Sequence, residues 1–250
     1  MAIIKKTPEQ IEEMKEAGRI SALVLSEVGK RVKPGVSTFE LDQFAENLIR
    51  MEGAVPAFKG YCGFPASLCT SVNDEVIHGI PSPNVILKEG DILSVDTGAI
   101  FNGWVGDNAW TFPVGSIDAE KQKLLQVTEE CMWAEIEAAV PGNRLGDIGY
   151  ACQQIAHKAG FEPVRDYCGH GVGTSMHEDP SVVNFGKKNS GIRLEAGMVL
   201  ALEPMINAGT YKIINGDDGW LVSTADGRPS AHFEKTIAIT DDGPIILTEI

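Results

Sequence analysis

The chain has 250 residues, 43% hydrophobic and 22% charged, which suits one large domain or two small ones around a substantial core. Its formal net charge of −14 argues against nucleic acid and anionic lipid as direct partners. No run approaches the ~18–20 apolar residues of a bilayer span, the opening MAIIKKTPEQ lacks a signal-peptide core, and five cysteines without a C-x-x-C pair fit a reducing cytoplasm better than a disulfide framework or a thiolate zinc site.

In chain order, Thr7 as N-cap, Pro8 at the first helical position and Gln10 as capping partner predict a first helix. Ile11, Met14, Leu25 and Val28 recur near helical spacing until Lys33-Pro34-Gly35 stops the run. A second capping box, Ser37 with Glu40, opens a helix that carries Leu41, Phe44, Leu48 and Ile49 and ends at Gly53. A β-rich stretch covers about 67–113. A third helix spans about 118–140 and a fourth about 144–159, closed by Pro141-Gly142 and by Gly160. From residue 164 onward the chain reads as strands and loops.

The order helix, helix, strands therefore occurs twice, and the residues repeat with it. Leu87-Lys-Glu-Gly-Asp-Ile-Leu-Ser-Val-Asp96 matches Leu194-Glu-Ala-Gly-Met-Val-Leu-Ala-Leu-Glu203 at the offset that separates residue 96 from residue 203. The same offset relates Pro34-Gly35 to Pro141-Gly142 and Gly53 to Gly160. We expect one catalytic domain over residues 1–250, built from pseudo-equivalent halves of about 1–112 and 113–250, with the strands joined in one sheet and the helices outside. Asp96 and Glu203 then meet across a central cleft.

Five residues form a chemical set: Asp96, Asp107, His170, Glu203 and Glu234. Asp96 ends the strand-like run Ile92-Leu93-Ser94-Val95. Asp107 follows beyond the turn signal Asn102-Gly103, so a hairpin can bring both carboxylates together on neighbouring strands. Glu203 ends Met198-Val199-Leu200-Ala201-Leu202, and Glu234 lies in the strand-like His232-Phe233-Glu234-Lys235-Thr236-Ile237. Carboxylates at apolar strand ends need a counter-charge, and few basic residues are near in sequence, which favours metal. Four carboxylates and one imidazole can hold two divalent ions ~3.5–4 Å apart, able to activate water. The oxygen-rich shell suits Mn, Fe or Co as well as Zn. Taken singly, each Asp reads as a turn or capping residue and His170 as a loop residue. The glycines around His170 lack the spacing of a phosphate loop.

These residues and their neighbours resemble type I methionine aminopeptidases over nearly the whole chain. The resemblance rests on Asn73-Asp-Glu-Val-Ile-His78-Gly-Ile-Pro81, Asp96 with Asp107, Gly169-His170-Gly-Val-Gly173, Met176-His177-Glu-Asp-Pro180, Glu203-Pro204-Met205 and Phe233-Glu234. It implies an α+β pita-bread fold: two pseudo-symmetric halves with a curved, mostly antiparallel sheet covered by helices. It implies that Asp107 and Glu234 bridge two divalent ions (Co, Mn, Fe or Zn), with His170 and Glu203 on one and Asp96 on the other. His78, His177 and Glu203 become catalytic. Tyr61, Phe64, Cys69, His78, Met176, His177 and Trp220 become substrate-binding, although composition alone reads the apolar ones as core. Asn73 and Ser230 become candidates for a monovalent cation site.

The implied activity is cytoplasmic removal of the initiator methionine from nascent polypeptides whose second residue is small. The implied enzyme is a monomer with the ribosome as a further partner, and it bears no membrane or direct nucleic-acid contact. Met1-Ala2 makes the chain its own expected substrate. Two positions depart from the family pattern: Lys235, expected to point away from the metals, and Thr174. The rivals are a proline-specific (Xaa-Pro) aminopeptidase of the same fold, which usually carries an extra N-terminal domain, and an inactive peptide-binding module, which usually loses ligands. A type II enzyme usually has a long insertion where this chain has only residues 178–202 between His177 and Glu203.

Overall fold

Thr7 starts the first helix as its side chain dictates. Its Oγ1 accepts from the Gln10 amide at 3.3 Å while the Gln10 Oε1 accepts from the Thr7 amide at 2.9 Å. The computed structural model, which describes residues 3–249, places α1 at Pro8–Gly29 and α2 at Thr38–Met51. Helix α1 stops ahead of the Lys33-Pro34-Gly35 signal. The Gly35 amide is already bonded to the Leu87 carbonyl, and the Leu87 amide to the Val36 carbonyl, so this stretch is drawn out of helical geometry. Five strands follow: β1 Val55–Pro56, β2 Leu68–Val72, β3 Glu75–Ile77, β4 Ile92–Phe101 and β5 Trp104–Pro113.

The second half repeats the plan. Helix α3 covers Ala119–Ala138 with Asp118 as its cap, and α4 covers Leu145–Ala159 with Gly160 left-handed at its end. The strands are β6 Glu162–Pro163, β7 Gly169–Gly171, β8 Glu178–Val182, β9 Val199–Leu202, β10 Met205–Asn207, β11 Ile213–Asn215, β12 Val222–Thr224, β13 Ser230–His232, β14 Lys235–Thr240 and β15 Gly243–Ile246. The offset seen in the sequence recurs in three dimensions: β1 and β6, and β4 and β9, start at positions related by it. Gly90 and Gly197, which turn the chain into β4 and β9, both have positive φ, 89° and 90°.

The strands form four antiparallel sheets rather than the single sheet expected from the sequence, and the halves share a ladder where β3 pairs with β12. The first-half sheet runs β1-β4-β2 with β5 also on β4, and the main second-half sheet runs β15-β14-β9-β7-β8. They meet where β5 faces β14. There the Thr236 hydroxyl donates to the Asp107 carbonyl at 2.7 Å, and the Glu234 amide donates to the Ala109 carbonyl at 2.9 Å. Side-chain and single backbone bonds thus replace a ladder, because the second-half chain crosses from β13 in one sheet to β14 in another at this seam. Helices α1 and α2 cover the first-half sheet around Ile20, Val24, Leu41 and Leu93, and α3 and α4 cover the other around Leu124, Met132, Ile148 and Leu200. Both helix pairs lie on the outer side, leaving the opposite faces to form a cleft.

Candidate metal centre and pocket

Strands β4 and β5 are joined by the two-residue turn Asn102-Gly103, with φ of 49° and 84°. Positive φ at both central positions matches the right-handed twist of the flanking strands. The resulting register pairs Asp96 with Ala109 and Gly98 with Asp107. The two carboxylates are therefore diagonal neighbours on one face of the hairpin, not directly opposite. Gly98, on that face beside them, lets the pocket wall pack directly on the strand: a Cβ there would lie 2.9 Å from the Phe58 ring and 3.1 Å from the Met176 methyl.

The second half brings three more groups to this face. His170 on β7 pairs with Ala201 on β9, two residues before Glu203. Glu234 lies at the break between β13 and β14, outside either strand, held by its amide bond to Ala109. The His170 Nε2 is 3.7 Å from Asp107 Oδ2 and 3.5 Å from Glu203 Oε1. Its Nδ1 lies 2.9 Å from the Gly171 carbonyl, so Nδ1 carries the hydrogen and the Nε2 lone pair faces the carboxylates. Ligand atoms of Asp107, His170 and Glu234 all lie within 4.8 Å of one another.

This cluster is electrostatically incomplete as protein alone. Burial pushes Asp107 up from 3.8 to about 7. Burial, reinforced by neighbouring carboxylates, raises Asp96, Glu203 and Glu234 well above the usual carboxylate range. Burial also lowers His170 to about 4, so it adds no positive charge at neutral pH. Asp96 Oδ1, Asp107 Oδ1 and Glu234 Oε1 are buried without a hydrogen-bond partner. Acceptor-only atoms left bare among like charges fit divalent cations, and the all-oxygen set with one imidazole is the donor chemistry such ions take.

The twelve residues expected to bind metal, bind substrate or act in catalysis line one cavity of about 350 Å³, together with Phe58 and Cys62, whereas the cation candidates Asn73 and Ser230 do not. Its inner wall is apolar: Phe58, Phe64, Cys69 and Met176 are buried, and Trp220 meets Phe64 edge to face at 5.1 Å between centroids. Cys69 pairs with Asp96 across β2 and β4, placing the soft wall beside the carboxylates. His78 follows β3 with a left-handed φ of 61°, and burial lowers it to about 4. His177 is exposed at the mouth, its ring 4.2 Å from that of His170 and its Nδ1 2.8 Å from the Tyr61 hydroxyl. Asn73 and Ser230 adjoin through an amide-to-carbonyl bond of 2.9 Å. Lys235 points away from the cluster, its ammonium donating to the Thr248 carbonyl at 2.7 Å. Thr174 is exposed, and nothing in the structure explains its departure from the family pattern. Met1-Ala2 lies outside the described residues.

The sequence reading passed over His232. It is buried with Nε2 unpartnered, 3.6 Å from Glu203 Oε2. Burial, and then His78, lowers it to about 3. Its i, i+2 spacing to Glu234 was the available signal, since alternate residues of an extended chain share a face.

The pattern of metallopeptidase family M24 matches residues 12–241. Methionine aminopeptidase 1 of Bacillus subtilis (strain 168) is 52% identical over 248 residues, covering 99% of this chain and 100% of that protein. The crystal structure of methionine aminopeptidase from Thermotoga maritima superposes with a TM-score of 0.98 at 43% identity, covering 100% of both chains. That from Rickettsia prowazekii gives 0.97 at 43% identity, covering 99% of this chain and 100% of that one.

Proposed function

The chain belongs to metallopeptidase family M24, and on that premise we propose that it is a methionine aminopeptidase acting on the N-termini of nascent polypeptides. One observation carries the reading: bare buried carboxylate oxygens and an apolar wall of Phe64, Cys69, Met176 and Trp220 share one cavity. Asp96, Asp107, His170, Glu203 and Glu234 would hold the two divalent ions of such an enzyme. Bound there, such ions acidify water and polarise a carbonyl. Co, Mn, Fe and Zn all suit the donor set.

The protein's own groups then divide the work. Glu203, whose raised affinity for a proton suits a general base, takes one from the attacking water and passes one to the leaving amine. His177 donates to the developing oxyanion. With the Tyr61 hydroxyl donating to Nδ1, the imidazole hydrogen sits on Nε2, and partial desolvation of the ring at the cleft mouth lowers its pKa and keeps it neutral. His78 borders the leaving nitrogen. Asp96 faces the free α-amine, which restricts cleavage to the chain end. Phe64, Cys69, Met176 and Trp220 enclose the methionine side chain, where a flexible, polarisable thioether packs well. Tyr61 and His177 border the second residue, so small side chains there are favoured.

Release of Met from Met-Ala-Ser that requires added divalent metal, with no cleavage of an Xaa-Pro peptide, is the expected result. Preferential Xaa-Pro cleavage would favour the proline-specific alternative, and no metal-dependent cleavage of either would leave a binding module.

A further inference from the structure

Among the described residues the His177 ring has one side-chain hydrogen bond, to the exposed Tyr61 hydroxyl, beside its face contact with His170. Its position therefore depends on the six-residue connection 172–177 between β7 and β8. The outer side of this connection is not backed by packing: a cavity of about 410 Å³ lies there, bordered by Ile4, Ser175, His177 and Glu178. Beneath it lies an ion pair. Lys6, from the extended segment ahead of α1, donates from Nζ to Glu178 Oε2 at 2.5 Å. The two side chains are only 3% and 7% exposed.

Both members are tied at each end. The Lys6 amide donates to the Gly197 carbonyl at 2.7 Å, and its ammonium also donates to the Ile4 carbonyl at 3.1 Å. Glu178 Oε1 accepts from the Ser175 amide at 3.4 Å, inside the connection itself. Gly173 makes the room: a Cβ there would lie 2.3 Å from Glu178 Oε1 and 2.7 Å from Lys6 Cε. The chain is shaped to pass directly over a dry ion pair. Such a pair contributes little net stability compared with apolar packing, because desolvating two charges costs several kcal/mol. What it does supply is a single geometry for the backbone it holds.

We propose that Lys6 and Glu178 are positioning residues for the reaction: the N-terminal segment 3–7 pins the 172–177 connection from below and so aims the His177 imidazole at the oxyanion. This rests on the role given to His177 above. An interaction made only in the transition state is lost when its donor is misplaced, which lowers kcat and leaves KM nearly unchanged. Misplacement by about 1 Å costs up to ~10²-fold.

The test uses the full-length, metal-loaded protein and three variants, Lys6→Met, Glu178→Gln and the double variant. We expect each single variant to lose about 10–10²-fold in kcat on Met-Ala-Ser, with KM and calorimetric Mn²⁺ affinity within about threefold. The ¹⁵N imidazole signals of His177 should shift or broaden in the single variants, and the double variant, which leaves no unpaired charge, should recover part of both. Lys6→Arg, which keeps the charge, should recover more and serves if Lys6→Met does not fold. A lowered Tm with kcat and His177 signals unchanged would overturn the proposal, as would a kcat loss that follows metal affinity. If the wild type released no Met at all, the proposed reaction would fall, while the His177 signals would still report on the pinning.

Discussion

The first half of the molecule supplies Asp96 and Asp107 from a single hairpin, whereas the second supplies His170, Glu203 and Glu234 from β7, the end of β9 and the break before β14. The hairpin pair is arranged by one two-residue turn, Asn102-Gly103, and needs nothing distant to set its register. The other three meet only because β7 pairs with β9 and because the Glu234 amide reaches Ala109 in the opposite half. The two halves thus do unequal work: one offers a carboxylate pair set by a local turn, and the other closes on it.

The largest effect should come from removing one proposed metal-holding carboxylate on either side of this divide. Asp107→Ala and Glu234→Ala should each abolish Met release and weaken divalent-ion binding measured by calorimetry. Near-normal turnover in either would mean that one half suffices. Next, His177→Ala should lower kcat by about 10²–10³-fold with little change in KM, as for an oxyanion donor, read from steady-state kinetics on Met-Ala-Ser.

Stripping metal with a chelator should expose the electrostatic cost of joining the halves. Asp107 is raised from 3.8 to about 7, so the folded apoprotein keeps a proton that the unfolded chain releases. The unfolded state then binds fewer protons at this group over the interval, so the Asp107 contribution is a stability that falls as pH rises from about 4 to 7. The lowered histidines act in the opposite sense, so the Asp107 slope is read as the difference between thermal melts of the wild-type and Asp107→Asn apoproteins. At neutral pH, saturating divalent ion should raise stability by about 2.7 kcal/mol when present at 100 times its Kd.

The pocket wall is shared, with Phe64 from the first half and Met176 from the second. Phe64→Ala or Met176→Ala should each raise KM for Met-Ala-Ser by about tenfold through lost side-chain contact. The smallest effect is expected at Lys235→His: the ammonium is turned toward Thr248, so kinetic constants should stay within about threefold.

Legibility followed the range of the interactions. The capping boxes at Thr7 and Ser37 and the turn at Asn102-Gly103 are settled within a few residues, and the helices and hairpin appeared where those signals put them. The repeat placed Asp96 and Glu203 in equivalent settings, β4 and the end of β9. Glu234 was seen as part of a continuous strand from His232 to Ile237, yet the chain changes sheets there, and nothing local announces that change. His232 was overlooked because a buried histidine and an ordinary strand histidine look alike until the Glu203 carboxylate is seen 3.6 Å away. Phe58 and Cys62 carried no motif, and only the cavity brings them in.

Residue order alone determined the caps, the turns, the doubled plan and the kinds of ligand available, because each rests on contacts between near neighbours or on composition. The separation of the strands into four sheets, the seam between β5 and β14, the diagonal offset of Asp96 from Asp107 and the burial of Lys6 against Glu178 were decided by tertiary structure. Those features depend on where distant segments exclude water and on which backbone groups they leave to be bonded, and both arise only once the two halves have closed on each other.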